Sequence, residues 1–97
     1  MLFAVTCTDR TGALETRLAN REAHLAWAGS ADSPVKMGGP LLDREGKPAG
    51  SLLIIEAEDE ADLREILKDD PYAAADLFAD VFWMPFKWTL KAPEGLE

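Results

Sequence analysis

Two segments that otherwise read as β-strands each carry a proline near their middle. They are residues 35–43 (VKMGGPLLD, with Pro40) and residues 80–90 (DVFWMPFKWTL, with Pro85). Proline has no N–H to give to a ladder, so both strands belong at the edges of a sheet. Two further segments supply its middle. Residues 2–8 (LFAVTCT) form a short apolar run bounded by Asp9 and Gly12. Phe3, Val5 and Cys7 share one face, and Leu2 and Ala4 the other. Both faces are mostly apolar, as in a central strand covered on two sides. Residues 51–58 (SLLIIEAE) are the clearest strand in the chain.

Helices fill the intervals. Residues 13–28 place Leu14, Leu18 and Leu25 within one narrow stripe at about 100° per residue, which predicts a helix resting that stripe on the core. Gly29, Ser30, Asp32 and Pro34 end it. Residues 44–50 (REGKPAG) read as a loop. Asp59 is placed to cap a second helix, with Glu60 and Asp62 in the first turn opposing its dipole. Leu63, Ile66 and Leu67 are its buried face. Asp70-Pro71 opens a third, short helix, with Asp at the N-cap and Pro at the first helical position. In the last strand Phe82, Met84, Phe86, Trp88 and Leu90 alternate onto one face, and Val81 and Trp83 onto the other.

With right-handed crossovers, the order β-α-β-β-α-(α)-β is the split βαβ, ferredoxin-like arrangement of the α+β class, with an extra short helix before the last strand. Its second and fourth strands are the edges, which is where both prolines fall. The helices cover one face of such a sheet. The other presents Leu, Ile, Phe and Trp side chains in a patch too large for a monomer. A homodimer or higher assembly, its sheets packed face to face, is the expectation. The 97 residues read as a single domain, with residues 92–97 as a loose tail.

Composition narrows the partners. Ten basic against eighteen acidic residues give a net charge of −8, and that field repels a polyanion, so no nucleic acid is expected. No apolar run approaches the ~18 residues of a membrane span. The opening MLFAVTCTDR lacks the basic n-region and long h-region of a signal peptide. No membrane partner and a cytoplasmic location are the expectation. One cysteine, Cys7, excludes an intrachain disulfide framework and reads as a buried small hydrophobe. One histidine and one cysteine, with no carboxylate three or four residues from His24, argue against a metal. Gly38-Gly39-Pro40 lacks the spacing and the lysine of a phosphate loop. No cofactor is expected.

His24 is the only histidine. Arg17, Arg21 and His24 follow one another at i, i+4 and i+7 and flank the leucine stripe, which puts His24 at the margin of the core. It can be a boundary histidine bonded to a backbone carbonyl, or a general acid or base. Asp70 is an N-cap, but a carboxylate has acceptor capacity left for a second role. Arg17 and Arg21 can hold an anion or pair with acids on an exposed helix face. Gly38-Gly39-Pro40 is an edge device or a place where a ligand nears the backbone. Among the aromatic residues, one or two can wall an apolar pocket.

The chain resembles the YciI-like (YCII-related) proteins along nearly all its length. The matching residues are Arg17-x3-Arg21-x2-His24-Leu25, the Gly39-Pro40 turn, Asp70-Pro71-Tyr72, and Pro85-Phe86. Met84 stands where a basic residue often precedes the proline, and Ala75-Asp76 where Ala-Gly is frequent. The resemblance implies a dimeric ferredoxin-like fold and a His–Asp pair in a pocket, carried here by His24 and Asp70. It also implies a cofactor-free lyase chemistry, as in the dehydrochlorination of a chlorinated hydroquinone. A carboxylate that accepts one imidazole N–H fixes the tautomer, and the other nitrogen can then take a proton from an acidic C–H or O–H.

The expectation is therefore a small lyase or isomerase. His24 is its general base or acid and Asp70 the orienting carboxylate. Arg17, Arg21, Gly39, Pro40 and Tyr72 surround a small, partly apolar, phenolic or carboxylated substrate. The alternative is a non-catalytic ligand-binding or assembly module in which His24 and Asp70 are structural. One distance separates the two, that from the His24 ring to Asp70.

Overall fold

The computed structural model describes residues 1–95. Its elements are β1 (Leu2–Asp9), α1 (Leu14–Gly29), β2 (Val35–Leu42), β3 (Pro48–Glu56), α2 (Glu60–Lys68), α3 (Pro71–Ala74) and β4 (Phe78–Phe86). The strands form one antiparallel sheet in the order β2-β3-β1-β4. This is the ferredoxin-like α+β architecture, and the prolines lie on its two edge strands.

The register fixes what each face carries. Phe3, Val5 and Cys7 stand opposite Ile55, Leu53 and Ser51 on one side and Pro85, Trp83 and Val81 on the other. These rows face the helices. Phe3, Val5, Cys7, Leu53, Ile55, Ala57 and Leu63 form the buried core, against which Trp27, Ile66, Leu67 and Trp83 pack. The opposite face carries Ala4, Ile54 and Met84 in one row and Thr6, Leu52 and Phe82 in the next. Among the described residues no helix covers it, and Phe82 and Met84 are 65% and 71% exposed.

Boundaries differ from expectation where partners, not propensity, decide them. β3 begins at Pro48, inside the expected loop. Asp43 tightens that loop, its Oδ1 accepting the N–H groups of Glu45 and Lys47, while Gly46 takes the left-handed φ of +82° that the turn needs. β4 runs from Phe78 to Phe86 rather than from residue 80 to 90. Phe86 pairs with Leu2, the first residue of β1, so nothing remains to continue the ladder. Trp88 and Leu90 therefore fall outside the strand, and Trp88 packs edge-on against Phe86 with ring centroids 4.8 Å apart. Residues 92–95 carry no helix or strand; the rest of the expected tail, residues 96–97, lies outside the described residues.

Helix α1 departs furthest from the expected packing. Leu18 and Leu25 are 55% and 49% exposed, whereas Arg17 and His24 face inward at 3% and 8%. The helix is rotated away from its leucine stripe because the interior offers both polar side chains partners, as buried polar groups require. Two other local features follow the chain's chemistry as read. Asp59 caps α2, accepting the Asp62 N–H at 2.8 Å. Asp76 holds φ +54° at the position where the resemblance favours glycine, a conformation that aspartate tolerates better than most residues.

Candidate active site

Asp70 is fixed by its work as the α3 N-cap. Its Oδ1 accepts the Tyr72 N–H at 2.9 Å, and the same oxygen lies 2.8 Å from His24 Nδ1. Both side chains are buried, Asp70 almost completely. The Tyr72 ring lies against the imidazole, with centroids 4.0 Å apart and planes 14° from parallel. Trp27 approaches the imidazole at 5.9 Å between centroids. One ring nitrogen of His24 is thus tied, and the ring is held between an α1 neighbour and α3. Among the described residues, Asp70 Oδ2 is buried without a hydrogen-bond partner.

A second buried pair stands beside the first. Arg17 Nε lies 2.7 Å from Asp9 Oδ2, and its Nη2 reaches Asp9 Oδ1 at 2.8 Å and Ser51 Oγ at 2.9 Å. This two-pronged contact is the strong geometry for guanidinium and carboxylate. The guanidinium also sits 4.6 Å from the Tyr72 ring centre. Burial works against the Arg17 charge, but Asp9 outweighs it and raises the arginine pKa. Burial likewise raises the Tyr72 phenol, with the Arg17 charge opposing. The Cys7 thiol is pushed up to about 12, chiefly by burial and then by Asp70. At neutral pH it is a protonated core residue rather than a nucleophile.

A cavity of about 290 Å³ opens between α1 and the β2–β3 edge of the sheet. His24, Arg17, Arg21, Gly39, Pro40 and Tyr72 all border it, whereas Asp70 stands behind His24 and away from the wall. The exposed leucines of α1, Leu18 and Leu25, border it too. Gly38 lets β2 close against β3 here, since a Cβ at that position would meet Leu53 Cδ2 at 2.6 Å and the Leu52 carbonyl at 2.9 Å. With Nδ1 engaged by Asp70, Nε2 is the nitrogen left to exchange a proton with a molecule in the cavity.

The expected site residues converge, but Arg17 is not on an exposed face: its Nε and Nη2 belong to Asp9 and Ser51. Neither of those partners was singled out in the sequence. Ser51 carried the better signal, being the one hydroxyl at an inward position of a strand otherwise filled by Leu53 and Ile55. Asp9 gave only a strand-boundary signal. Among the described residues, no group of three or more His, Cys, Asp or Glu side chains is arranged to hold a metal ion, and no helix is long and apolar enough to cross a membrane.

Fold and site together define a ferredoxin-like α+β protein with a buried histidine–aspartate pair bordering a cavity. The chain belongs to the YCII-related domain family, whose model matches residues 1–87. It is 33% identical over 95 residues to an uncharacterised protein of Haemophilus influenzae, covering 90% of this chain and 97% of that one. Its structure is similar to that of the 5-chloro-2-hydroxyhydroquinone dehydrochlorinase of Burkholderia phenoliruptrix, solved in complex with 2,5-dihydroxybenzoquinone. That similarity has a TM-score of 0.79 and 34% identity, over 90% of this chain and 94% of the other. A protein of Agrobacterium tumefaciens shares the fold alone, at a TM-score of 0.51 and 15% identity over 96% of this chain and 98% of its own.

Proposed function

We propose that this protein is a cofactor-free acid–base enzyme, a lyase or isomerase for a small, partly apolar organic substrate. The observation that carries the reading is the 2.8 Å contact between His24 Nδ1 and Asp70 beside a cavity that His24 borders. Asp70 holds the Nδ1–H tautomer. The lone pair of Nε2 takes a proton from an acidic C–H or O–H of the substrate. In an elimination, the electron pair of the broken C–H bond becomes a C=C bond while halide leaves. In an isomerisation, His24 returns the proton to another carbon. Asp70 then faces an imidazolium whose charge it offsets. The similarity to a dehydrochlorinase supports this class of chemistry.

The same reading places a second copy on the open sheet face, where Phe82, Met84, Met37 and Leu41 stay exposed in one chain. A dimeric mass in solution that Phe82→Asp converts to a monomer supports it. A monomeric wild type contradicts it.

Halogenated phenols and unsaturated acids, screened for halide release or double-bond migration, test the chemistry. Turnover by the wild type that His24→Asn abolishes supports it. Turnover retained in His24→Asn contradicts it, and ligand binding with no turnover of any candidate favours a binding module.

A further inference from the structure

The cavity carries charge that proton transfer does not use. The chain's net charge is −8, yet among the described residues no Asp or Glu borders the cavity. Arg21 on α1 and Lys36 on β2 border it from two different walls. Among the described residues, neither has a carboxylate within 4.0 Å, whereas Arg10, Arg17, Lys47, Arg64 and Lys68 each meet an acid. Arg17, the third cation at the cavity, is already engaged by Asp9.

Lys36 reaches this wall through an irregularity in the ladder. Val35 pairs with Ile55 and Met37 with Ile54, so two steps along β2 match one along β3. Lys36 is the extra residue and has no partner. In an unbroken strand it would alternate away from Val35, which packs on the core, and so point to the open sheet face. A bulge re-aims such a side chain.

We infer that Arg21 and Lys36 form a two-sided clamp for an organic anion. The substrate class is a single-ring or similarly compact monoanion whose carboxylate or phenolate oxygen lies between the two cations. Its apolar body lies along Leu18, Leu25 and Val35 toward His24. The volume fits: about 290 Å³ is roughly twice the ~150 Å³ cavity that holds a benzene ring, leaving space for substituents. The naming of this anion as a substrate rests on the proton-transfer reading; the clamp itself does not.

The test is binding to the full-length protein, followed by amide NMR shifts, of two charge pairs of similar shape. These are benzoate against benzamide and 4-nitrophenolate against nitrobenzene. The clamp predicts that at least one anion binds about tenfold more tightly than its neutral counterpart, and which of them does identifies the oxygen recognised. Arg21→Gln and Lys36→Gln each remove about threefold of that preference, and the double variant removes it while neutral binding stays unchanged. High salt shrinks the preference. Equal affinities, no saturable anion binding, or a preference that survives in the double variant would overturn the inference. Anion preference without turnover of any candidate strikes only the proton-transfer reading. Both side chains are exposed, so the amide spectrum verifies that the variants keep the fold.

Discussion

Asp9 and Asp70 are two buried carboxylates in one small protein, and they are used in opposite ways. Asp9 has both oxygens on the fork of Arg17, a partner that stays charged at every relevant pH. Asp70 gives one oxygen to a backbone N–H and to an imidazole, a partner that can gain and lose a proton. The first pair ties β1 to α1 and, through Ser51, to β3. The second ends at a ring on a cavity wall. A buried pair that cannot change state holds shape; one that can is useful only where a molecule reaches it.

The sharpest way to break this contrast is to unpair Asp9. Arg17→Met leaves an uncompensated buried carboxylate and is expected to cost about 3–5 kcal/mol. The thermal midpoint then falls by more than about 10 °C. Replacing both partners, Asp9→Leu with Arg17→Met, recovers most of the loss. A single variant that unfolds like the wild type would remove Asp9–Arg17 from the scaffold.

Alkaline titration comes next. Cys7 and Tyr72 both have raised pKa values in the fold, so the unfolded chain gives up these protons first. The Cys7 contribution to stability is complete below pH 9.0, the ordinary thiol value, and is lost as pH rises toward about 12. That of Tyr72 falls in the same direction above its ordinary value of 10.0. Unfolding midpoints measured across that window should fall with pH, and Cys7→Ala should flatten the slope. Rapid alkylation of native Cys7 near neutral pH would contradict this.

Asp70→Asn keeps an oxygen for the Tyr72 N–H, so chemical unfolding should register a loss of only about 1 kcal/mol. The proposed turnover should fall by about 10²-fold or more. Stability and activity thus separate at Asp70 and not at Asp9. The smallest effect is expected at Asp59, an exposed carboxylate that only caps α2. Asp59→Ala should cost about 1 kcal/mol by urea unfolding and leave turnover unchanged.

Much of this was legible in the chain. Pro40 and Pro85 fixed the edge strands, and Asp59 and Asp70-Pro71 marked two helix starts. The motif from Arg17 to Leu25, with Asp70-Pro71-Tyr72, named the pair that stands at 2.8 Å. What was not legible depended on distant partners. The leucines of α1 show where apolar side chains cluster, not which way the helix turns once Asp9 and Asp70 offer buried partners to Arg17 and His24. The end of β4 is set by where β1 begins. The bulge at Lys36 follows from the β2–β3 register, which no local pattern reveals.

The proposed proton transfer requires that Asp70 hold His24 in the Nδ1–H tautomer and leave Nε2 free to act as a base. Long-range 15N–1H NMR of the single histidine, in its neutral form, reads this directly. The account predicts a protonated, pyrrole-like Nδ1 and an unprotonated, pyridine-like Nε2, with that preference lost in Asp70→Ala, which removes the accepting oxygen. A neutral ring protonated at Nε2 would contradict it.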